Sequence, residues 1–278
     1  MSLNLPFEIL YLLYLLKQNG FQAFLVGGAV RDLMMQVPLE KIKDYDLATD
    51  ATPAEIQAIL PNSFYENQFG TVSLAHADLL SLLAKNFQLP DTNLSHNSLE
   101  KITTSRKIID LKNAKKVHAA LQNQLPTRQN ENASLNKAVP PFEITTFRSD
   151  GQYLDHRRPE TIRYGQSITE DLSRRDFTIN ALALEINDSA LTKIFEQKTL
   201  LNHYSFNAAD WQLLDLYQGQ NDLQKRIIRT VGKAEQRFAE DALRMLRAIR
   251  LAVQLNMDIA TDTYFAIKTQ KHLLKFIS

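Results

Sequence analysis

Residues Gly27 to Asp46, with the sequence GGAVRDLMMQVPLEKIKDYD, decide the fold of this chain. They follow the apolar run Phe24-Leu25-Val26, whose composition and length predict a buried strand. The two glycines that open the stretch lack a Cβ, so the backbone can turn sharply there and approach a ligand closely. Residues Val30 to Met35 can begin a helix whose free N–H groups would face an anion. Arg31 adds a forked cation suited to phosphate, so the stretch predicts a strand, a tight turn and a phosphate-binding helix start.

Two carboxylates, Asp44 and Asp46, close this stretch. Alternate residues of a strand share a face, so the two side chains are expected to lie side by side. Neighbouring carboxylates repel each other unless a cation lies between them, and Mg²⁺ prefers carboxylate oxygens completed by substrate phosphates. A lone glycine pair is usually a turn, and a lone Asp-x-Asp is usually a solvated loop. Together, after a strand, they indicate Mg²⁺-dependent chemistry on a nucleoside triphosphate, with Asp44 and Asp46 as metal ligands.

The segments Leu25 to Asp32 and Asp44 to Pro53 closely resemble the bacterial-type (class II) tRNA nucleotidyltransferase and poly(A) polymerase family, which is polymerase-β-like. Asp171 to Ala183, DLSRRDFTINALA, matches the second motif of that family. The resemblance implies an α/β (α+β) polymerase-β-like nucleotidyltransferase head followed by an all-α neck domain. We expect the head at residues 1–186, with an insertion at about 79–140, and a mainly helical neck with a truncated C-terminal body at residues 187–278.

The resemblance also implies an activity, namely template-independent addition of C and/or A residues to the tRNA 3′ end from CTP and ATP, with release of pyrophosphate. A poly(A) polymerase or A-adding enzyme of the same family is the alternative. A non-catalytic RNA-binding member is a second alternative, against which the presence of both Asp44 and Asp46 argues. The implied chemistry is a two-metal mechanism in which these two aspartates hold Mg²⁺.

Glu143 is the candidate for a third catalytic carboxylate. In Pro141 to Arg148, PFEITTFR, alternation places Glu143 on the face opposite Phe142 and Ile144. A solvent-facing strand glutamate is an equally good interpretation of the residues alone, whereas the resemblance implies that Glu143 supports one of the metal ions. The polar segment Gln88 to Pro140, which precedes this strand, is expected to be disordered or loosely packed. The family has a flexible loop where this chain has Asp150 to Pro159.

The second motif supplies candidates for binding the triphosphate. The adjacent Arg174 and Arg175 can each hold phosphate oxygens as a fork, and Asp176 can orient a neighbouring arginine. Read alone, such a run is more often the salt-bridged start of a helix. With the resemblance, the residues of the head that are expected to bind the nucleotide are Gly27, Gly28, Arg31, Arg175 and Asn180.

Base recognition is expected on a helix from Arg237 to Arg250, whose apolar stripe would be Leu243, Leu246 and Ile249. Asp241 and Arg244 are i, i+3 neighbours, which places an acceptor beside a donor. That order matches the amino and ring-nitrogen edge of cytosine and of adenine, but not that of uracil or guanine. An intrahelical salt bridge is the simpler alternative. The resemblance implies that the base is read by Asp241 and Arg244, and the row continues to Arg247 and, less in line, Arg250.

Composition bounds the remaining possibilities. The chain has 278 residues and a net charge of +1, which is not the charge of a general polyanion binder. It contains no cysteine, which excludes disulfides and thiol catalysis and fits a cytoplasmic location. The apolar stretch Phe7 to Leu16 is too short to span a bilayer and predicts an amphipathic or buried helix ended by Asn19-Gly20. The resemblance implies the tRNA 3′ end, ATP and CTP as partners, and the composition predicts no membrane partner.

Overall fold

The computed structural model describes residues 3–65, 70–86, 109–110, 141–150, 162–165, 167–196, 199–200 and 203–276. Within them the α-helices are α1 (Phe7–Gln18), α2 (Gly28–Met34), α3 (Pro53–Ile59), α4 (His76–Asn86), α5 (Ile168–Ser173), α6 (Asp188–Glu196), α7 (Gly219–Lys225), α8 (Ala234–Glu240), α9 (Leu243–Leu255) and α10 (Thr261–Gln270). Short 3₁₀ turns lie at Leu39–Lys41, Thr178–Asn180 and Lys271–Phe276. In this part of the chain no helix is long and apolar enough to cross a membrane.

The strands of the described residues form one large sheet and several two-stranded pairs. They are β1 (Leu3–Pro6), β2 (Ala23–Val26), β3 (Asp46–Thr49), β4 (Phe64–Tyr65), β5 (Thr71–Leu74), β6 (Ile109–Asp110), β7 (Phe142–Thr146), β8 (Arg148–Asp150), β9 (Ile162–Tyr164), β10 (Leu182–Ile186), β11 (Thr199–Leu200), β12 (His203–Phe206), β13 (Trp211–Asp215), β14 (Ile227–Ile228) and β15 (Asp258–Ile259). The large sheet has seven strands in the order β13-β10-β2-β3-β7-β5-β4. Only β3 and β7 run parallel in it, and their other neighbours are antiparallel.

Local sequence signals account for several of these elements. The capping box at the start of α3 is complete, because Thr52 accepts from the Glu55 N–H and the Glu55 carboxylate accepts from the Thr52 N–H. The predicted buried N-terminal helix is confirmed as α1, which ends at a C-cap on Asn19. The predicted strand before the glycine turn is confirmed as β2, whose four residues are all buried.

The two faces of the sheet are covered differently. One face carries Leu25, Leu47 and Ile144, which pack with α1, α3 and α4 in the larger core. The other face carries Phe24 and Val26, which pack under Ile168 and Leu172 of α5. Since Val26 is the register partner of Asp46, the Asp46 side chain lies on the α5 face.

Two predictions about the second half of the chain differ from the structure. Helix α6 follows Asn187 and buries Leu191 and Phe195 against the core of the head. The head does not end at residue 186, since β13 pairs with β10 and extends the same sheet to Asp215. The expected all-α neck at 187–278 is mainly helical after Asp215, but it includes the parallel pair of β14 and β15.

The helix predicted from Arg237 to Arg250 is interrupted, and its buried face was predicted wrongly. It is broken between α8 and α9 at Asp241, whose backbone is extended. In α9 the buried residues include Met245 and Ala248, whereas Leu246 and Ile249 are 49% and 46% exposed. Leu246 and Ile249 face outward because Met245, Ala248 and Leu251 supply the packed face of α9.

Candidate active site

The glycine turn brings the first and second motifs into contact. Gly27 has φ +74, a conformation that side chains rarely adopt, and it caps the start of α2. A Cβ at Gly27 would lie 3.1 Å from Nη1 of Arg175 and 3.5 Å from Oδ2 of Asp46. A Cβ at Gly28 would lie 3.5 Å from Nη2 of Arg31. The turn is therefore bare backbone, with two arginines and one carboxylate around it.

Arg31 links the turn to the second motif. Its Nη1 donates to Oδ1 of Asn180 at 2.8 Å, and its Nε donates to Oδ1 of Asp32 at 2.7 Å. Asn180 ends the 3₁₀ turn Thr178–Asn180 and is buried. Two of the residues predicted to bind the nucleotide, Arg31 and Asn180, are thus direct neighbours although they are 149 positions apart in sequence.

Asp171 orients both arginines of the second motif. Its Oδ1 accepts from Nη2 of Arg174 at 2.6 Å, and its Oδ2 accepts from Nη2 of Arg175 at 2.9 Å. Each arginine also donates its Nε to the same oxygen, so both pairs are two-pronged. Burial opposes ionisation of Asp171, but the charges of Arg175 and Arg174 outweigh it and lower the pKa of this carboxyl. The result is a charged, buried carboxylate that points Arg175 toward Gly27.

The sequence suggested Asp176 as the residue that orients an arginine of the second motif, but the structure gives this role to Asp171. Asp176, which was expected to orient a neighbouring arginine, accepts from Nε of Arg247 at 2.7 Å and from Nη2 at 2.6 Å. The i, i+3 and i, i+4 spacings from Asp171 to Arg174 and Arg175 are the signal that identifies it, since residues at these distances are neighbours on a helix.

The three candidate carboxylates lie on or beside two parallel strands. Asp46 begins β3 and is in register with Glu143 on β7, so the two side chains point to the same face. Asp44 was predicted inside this strand, but it precedes β3 and is exposed. Burial raises the pKa of Asp46, the charge of Asp44 raises it further and Arg175 opposes both effects. Asp44 therefore lies close enough to act on Asp46.

No group of three or more acidic or histidine side chains is arranged to hold a metal ion in the described residues. The donor chemistry nevertheless fits Mg²⁺, which usually binds one or two carboxylates together with substrate phosphates. A cation at this position would stabilise the charged form of Asp46, which partial burial and the charge of Asp44 disfavour.

The candidate base-reading residues lie beside this site, at the junction of α8 and α9. The Asp241 carboxylate accepts from the Leu243 N–H at 2.9 Å. Burial raises the pKa of Asp241, while that N–H and the charges of Arg244 and Arg247 oppose the rise. Arg244 is buried and donates Nη1 to Oε2 of Glu240 at 2.7 Å. Asp241 and Arg244 are neighbours, as predicted, but Glu240 rather than the Asp241 carboxylate anchors the guanidinium.

These residues also attach the second half of the chain to the second motif. Nη2 of Arg244 donates to the carbonyl oxygen of Arg174 at 3.2 Å. Arg247, whose side chain is 47% exposed, holds Asp176 as described above. Arg250 is exposed on α9. Arg244 and Arg247 therefore lie next to the candidate triphosphate site, whereas Arg250 stays a prediction without a contact that supports it.

Glu240 and Asp32 are two further charged residues that hold arginines of the site. Glu240 receives both Arg244 and Arg237, the latter at 3.1 Å. Asp32 holds Arg31 through Oδ1. The helix spacing between Glu240 and the two arginines is visible in the sequence. The pairing of the adjacent residues Asp32 and Arg31 follows no periodic rule and only the coordinates show it.

Comparisons with known proteins identify the family of this chain. A family model described as "Poly A polymerase head domain" matches residues 23–84 and 102–229, more than half of the chain. The chain is 32% identical over 264 residues to the CCA-adding enzyme of Staphylococcus aureus (strain MRSA252), covering 95% of this chain and 44% of that protein. It is 33% identical to the CCA-adding enzyme of Geobacillus thermodenitrificans (strain NG80-2), with the same coverage. The chain thus spans less than half the length of these relatives.

Solved structures show the same likeness. The crystal structure of the Bacillus stearothermophilus CCA-adding enzyme in complex with CTP aligns with 98% of this chain and 45% of that one, at 29% identity and a TM-score of 0.59. Apo form II of a CCA-adding enzyme aligns at 20% identity with a TM-score of 0.56, which supports the fold alone. The expected polymerase-β-like head is confirmed by these neighbours. The chain belongs to the tRNA nucleotidyltransferase and poly(A) polymerase family.

Proposed function

We propose that this protein is a template-independent nucleotidyltransferase that adds C and/or A residues to the 3′ end of tRNA, from CTP and ATP, and releases pyrophosphate. The observation that carries the proposal is the convergence of Gly27, Arg175 and Asp46, since a Cβ at Gly27 would touch both other side chains. A bare turn, an anchored arginine and a carboxylate are the groups that a triphosphate and its metal ion need. The names of the relatives and of the structural neighbour with CTP support the choice of substrates.

The triphosphate would lie against the glycine turn. Gly27 and Gly28 present backbone without side chains, so phosphate oxygens can approach it closely. Arg175 and Arg31 supply forked donors, and each is held by an acidic partner, Asp171 or Asp32. Such anchoring reduces the conformational entropy that an arginine loses when it binds its ligand.

The catalytic carboxylates, which would hold the metal ions, would be Asp44, Asp46 and Glu143. In the reaction the RNA 3′-oxygen bonds to the α-phosphorus, the bond from that phosphorus to the bridging oxygen breaks, and pyrophosphate leaves with the electron pair. Mg²⁺ held by Asp44 and Asp46 would neutralise the charge that develops on the phosphate oxygens and favour loss of the hydroxyl proton. Glu143 lies in register with Asp46 and would complete the acidic face.

Base selection would use the junction between α8 and α9. Asp241 offers an acceptor, and Arg244 and Arg247 offer donors close to the arginines of the second motif. An acceptor beside a donor matches cytosine and adenine and sets acceptor against acceptor for uracil. The pair can therefore select CTP and ATP without a template strand.

An assay with labelled nucleotides and tRNA that lacks its 3′ end tests this proposal. We expect Mg²⁺-dependent incorporation of CTP and ATP, lost when Mg²⁺ is chelated. Asp44→Ala should lower turnover by at least about a hundredfold while nucleotide affinity partly survives, because the lost group acts on the reacting phosphate. Asp188→Ala is the matched control, since Asp188 is an exposed carboxylate of α6 whose side chain bonds Lys17. Use of ATP alone, on any RNA, would instead indicate a poly(A) polymerase, and unchanged turnover of Asp44→Ala would contradict the metal assignment.

A further inference from the structure

Tyr45 stands between the candidate metal ligands Asp44 and Asp46 in sequence, but its side chain lies on the other face of the sheet. Its ring packs against the larger core, which also contains Val30 and Leu33 of α2. The Asp46 side chain, by contrast, lies on the α5 face. The chemistry proposed for the α5 face therefore leaves Tyr45 without a role.

The hydroxyl of Tyr45 is the unusual part of this residue. Its oxygen is buried, and no group among the described residues forms a hydrogen bond with it. Tyr11, another tyrosine of the same core, has its hydroxyl bonded by Nδ2 of Asn86. A buried hydroxyl without a partner costs free energy, so each one in a folded protein calls for a reason. A partner that the hydroxyl gains only when a ligand is bound would provide one.

Two acidic residues lie close enough to Tyr45 to act on it. Burial raises the pKa of the Tyr45 phenol, and the charges of Glu8 and Asp32 raise it further. The phenol therefore keeps its proton and can donate a hydrogen bond, for which a carboxylate oxygen is a suitable acceptor. Of the two acidic residues, Asp32 belongs to the candidate site, because it holds Arg31.

Asp32 has an oxygen that can accept such a bond. Nε and Nη2 of Arg31 both contact Oδ1 of Asp32, each at 2.7 Å. The other oxygen, Oδ2, receives no hydrogen bond from the residues that the structure describes. A donor without an acceptor and an acceptor with an open oxygen thus lie on the side of Asp32 away from the glycine turn.

A triphosphate at the glycine turn would create the need for this bond. Arg31 divides its donors between Asp32 and Asn180. When phosphate oxygens also draw on the guanidinium, Asp32 keeps less of its countercharge, and its side chain is only 23% exposed. A carboxylate that is largely removed from water is then stabilised by a second donor.

We propose that Tyr45 is a positioning residue for the triphosphate, whose hydroxyl donates to Asp32 when Arg31 binds the phosphates and so fixes the anchor of this arginine. Tyr45 would act on the nucleotide only through Asp32 and Arg31. Its effect should therefore be the same for CTP and ATP, which share the triphosphate and differ in the base. The proposal rests on the proposed function, because the triphosphate site is taken from it.

Tyr45→Phe, which removes only the hydroxyl, tests this role through the Kd of CTP and of ATP, measured by isothermal titration calorimetry with Mg²⁺ and without RNA. We expect both Kd values to rise by the same factor, about five- to twentyfold, because a hydrogen bond to a charged group is lost. The Tm of the nucleotide-free protein should be unchanged or higher, since the hydroxyl is unpaired there. At saturating CTP, kcat should stay within about twofold of the wild type.

Two further variants separate this role from a structural one. Tyr14→Phe is the matched control, because Tyr14 packs against the same core and its ring stacks on Phe195, away from α2. It should keep the Kd of the wild type for both nucleotides. In an Asp32→Ala background, Tyr45→Phe should change the Kd of CTP by less than about twofold, since its acceptor is already gone.

Several results would overturn the positioning role of Tyr45. They are an unchanged Kd in Tyr45→Phe, a loss confined to one nucleotide, an equal loss in Tyr14→Phe, an undiminished loss in the Asp32→Ala background, and a fall of Tm in nucleotide-free Tyr45→Phe that accompanies its weaker binding. Wild-type protein whose CTP binding depends on Tyr45 but that extends no tRNA would overturn the proposed function and leave the role of Tyr45 standing. Wild-type protein that extends tRNA, with nucleotide binding unchanged in Tyr45→Phe, would overturn the role of Tyr45 alone.

Discussion

The substitution Gly27→Ala tests whether the bare turn is a nucleotide site or only a sharp bend. Two effects follow from the structure. The backbone of Gly27, at φ +74 and ψ −137, lies where a side chain adds about 1–3 kcal/mol of strain. The added Cβ would also lie 3.1 Å from Nη1 of Arg175, which must move by a few tenths of an ångström.

Arg175 cannot move freely, because two bonds to Asp171 hold it, at 3.2 and 2.9 Å. A shift would therefore displace it from whatever it binds in front of the turn. Hydrogen bonds to charged groups contribute about 1.5–3 kcal/mol, so losing one to a phosphate oxygen should weaken nucleotide affinity about ten- to a hundredfold. We expect Gly27→Ala to raise the KM for CTP by this factor and to lower the free energy of unfolding.

Gly20→Ala is the matched control for this experiment. Gly20 has φ +87, so a side chain is strained there as well, but no atom lies within 4 Å of the position of its Cβ. The control should lose stability to a comparable degree and keep the KM of the wild type. Urea denaturation and steady-state kinetics with CTP measure the two effects separately. A Gly27→Ala protein with normal KM, or a Gly20→Ala protein with an equally raised KM, would refute the assignment of this turn to the nucleotide.

Three further substitutions test other contacts. Asp171→Asn should cost about 3 kcal/mol at pH 7, because it removes a buried carboxylate that holds two partly buried arginines. Since folding lowers the pKa of Asp171, the difference in stability from the wild type should shrink as the pH falls below about 4 in urea titrations, and a constant difference would contradict the ion pair. Asp241→Asn should be no less stable than the wild type at pH 7, because burial raises the pKa of Asp241 and disfavours its charge. The variant should also incorporate UTP more readily in competition with CTP. Unchanged preference for CTP over UTP would remove Asp241 from base recognition. Met245→Ala should lower the free energy of unfolding by about 2–5 kcal/mol in urea denaturation, because Met245 is buried. Leu246→Ala should lower it by only about 0.5 kcal/mol, because Leu246 is half exposed. The reverse order would show that Leu246 lies on the buried face of the helix, as the sequence predicted.

Several features of this protein were predictable from short stretches of sequence. The capping box of Thr52 and Glu55, the buried helix α1 and the strand before the glycine turn are local, because each depends on neighbours within a few residues. The two motifs also identified the family. The structure places Gly27 beside Arg175 and Arg31 beside Asn180, and their binding of the nucleotide stays a prediction.

Other features depend on partners that are distant in sequence. The bond between Arg247 and Asp176 joins residues 71 positions apart. The edge strand β13 belongs to the head sheet only because it pairs with β10. Pairing between distant strands produces no periodic pattern in the sequence. The boundary of the head was therefore expected at residue 186, where the local pattern changes, although β13 continues the same sheet to Asp215.

By itself the sequence determined which short segments become helices, turns and strands, because capping, glycine turns and apolar periodicity act over a few residues. It also determined the two charged motifs, since their spacing is written in the chain. Only the tertiary structure decided that Asp176 holds Arg247, that Glu143 faces Asp46 across parallel strands, and that Leu246 lies exposed. These outcomes follow from the packing of surfaces on distant segments, and helix or strand periodicity reveals that a surface exists but not what will cover it.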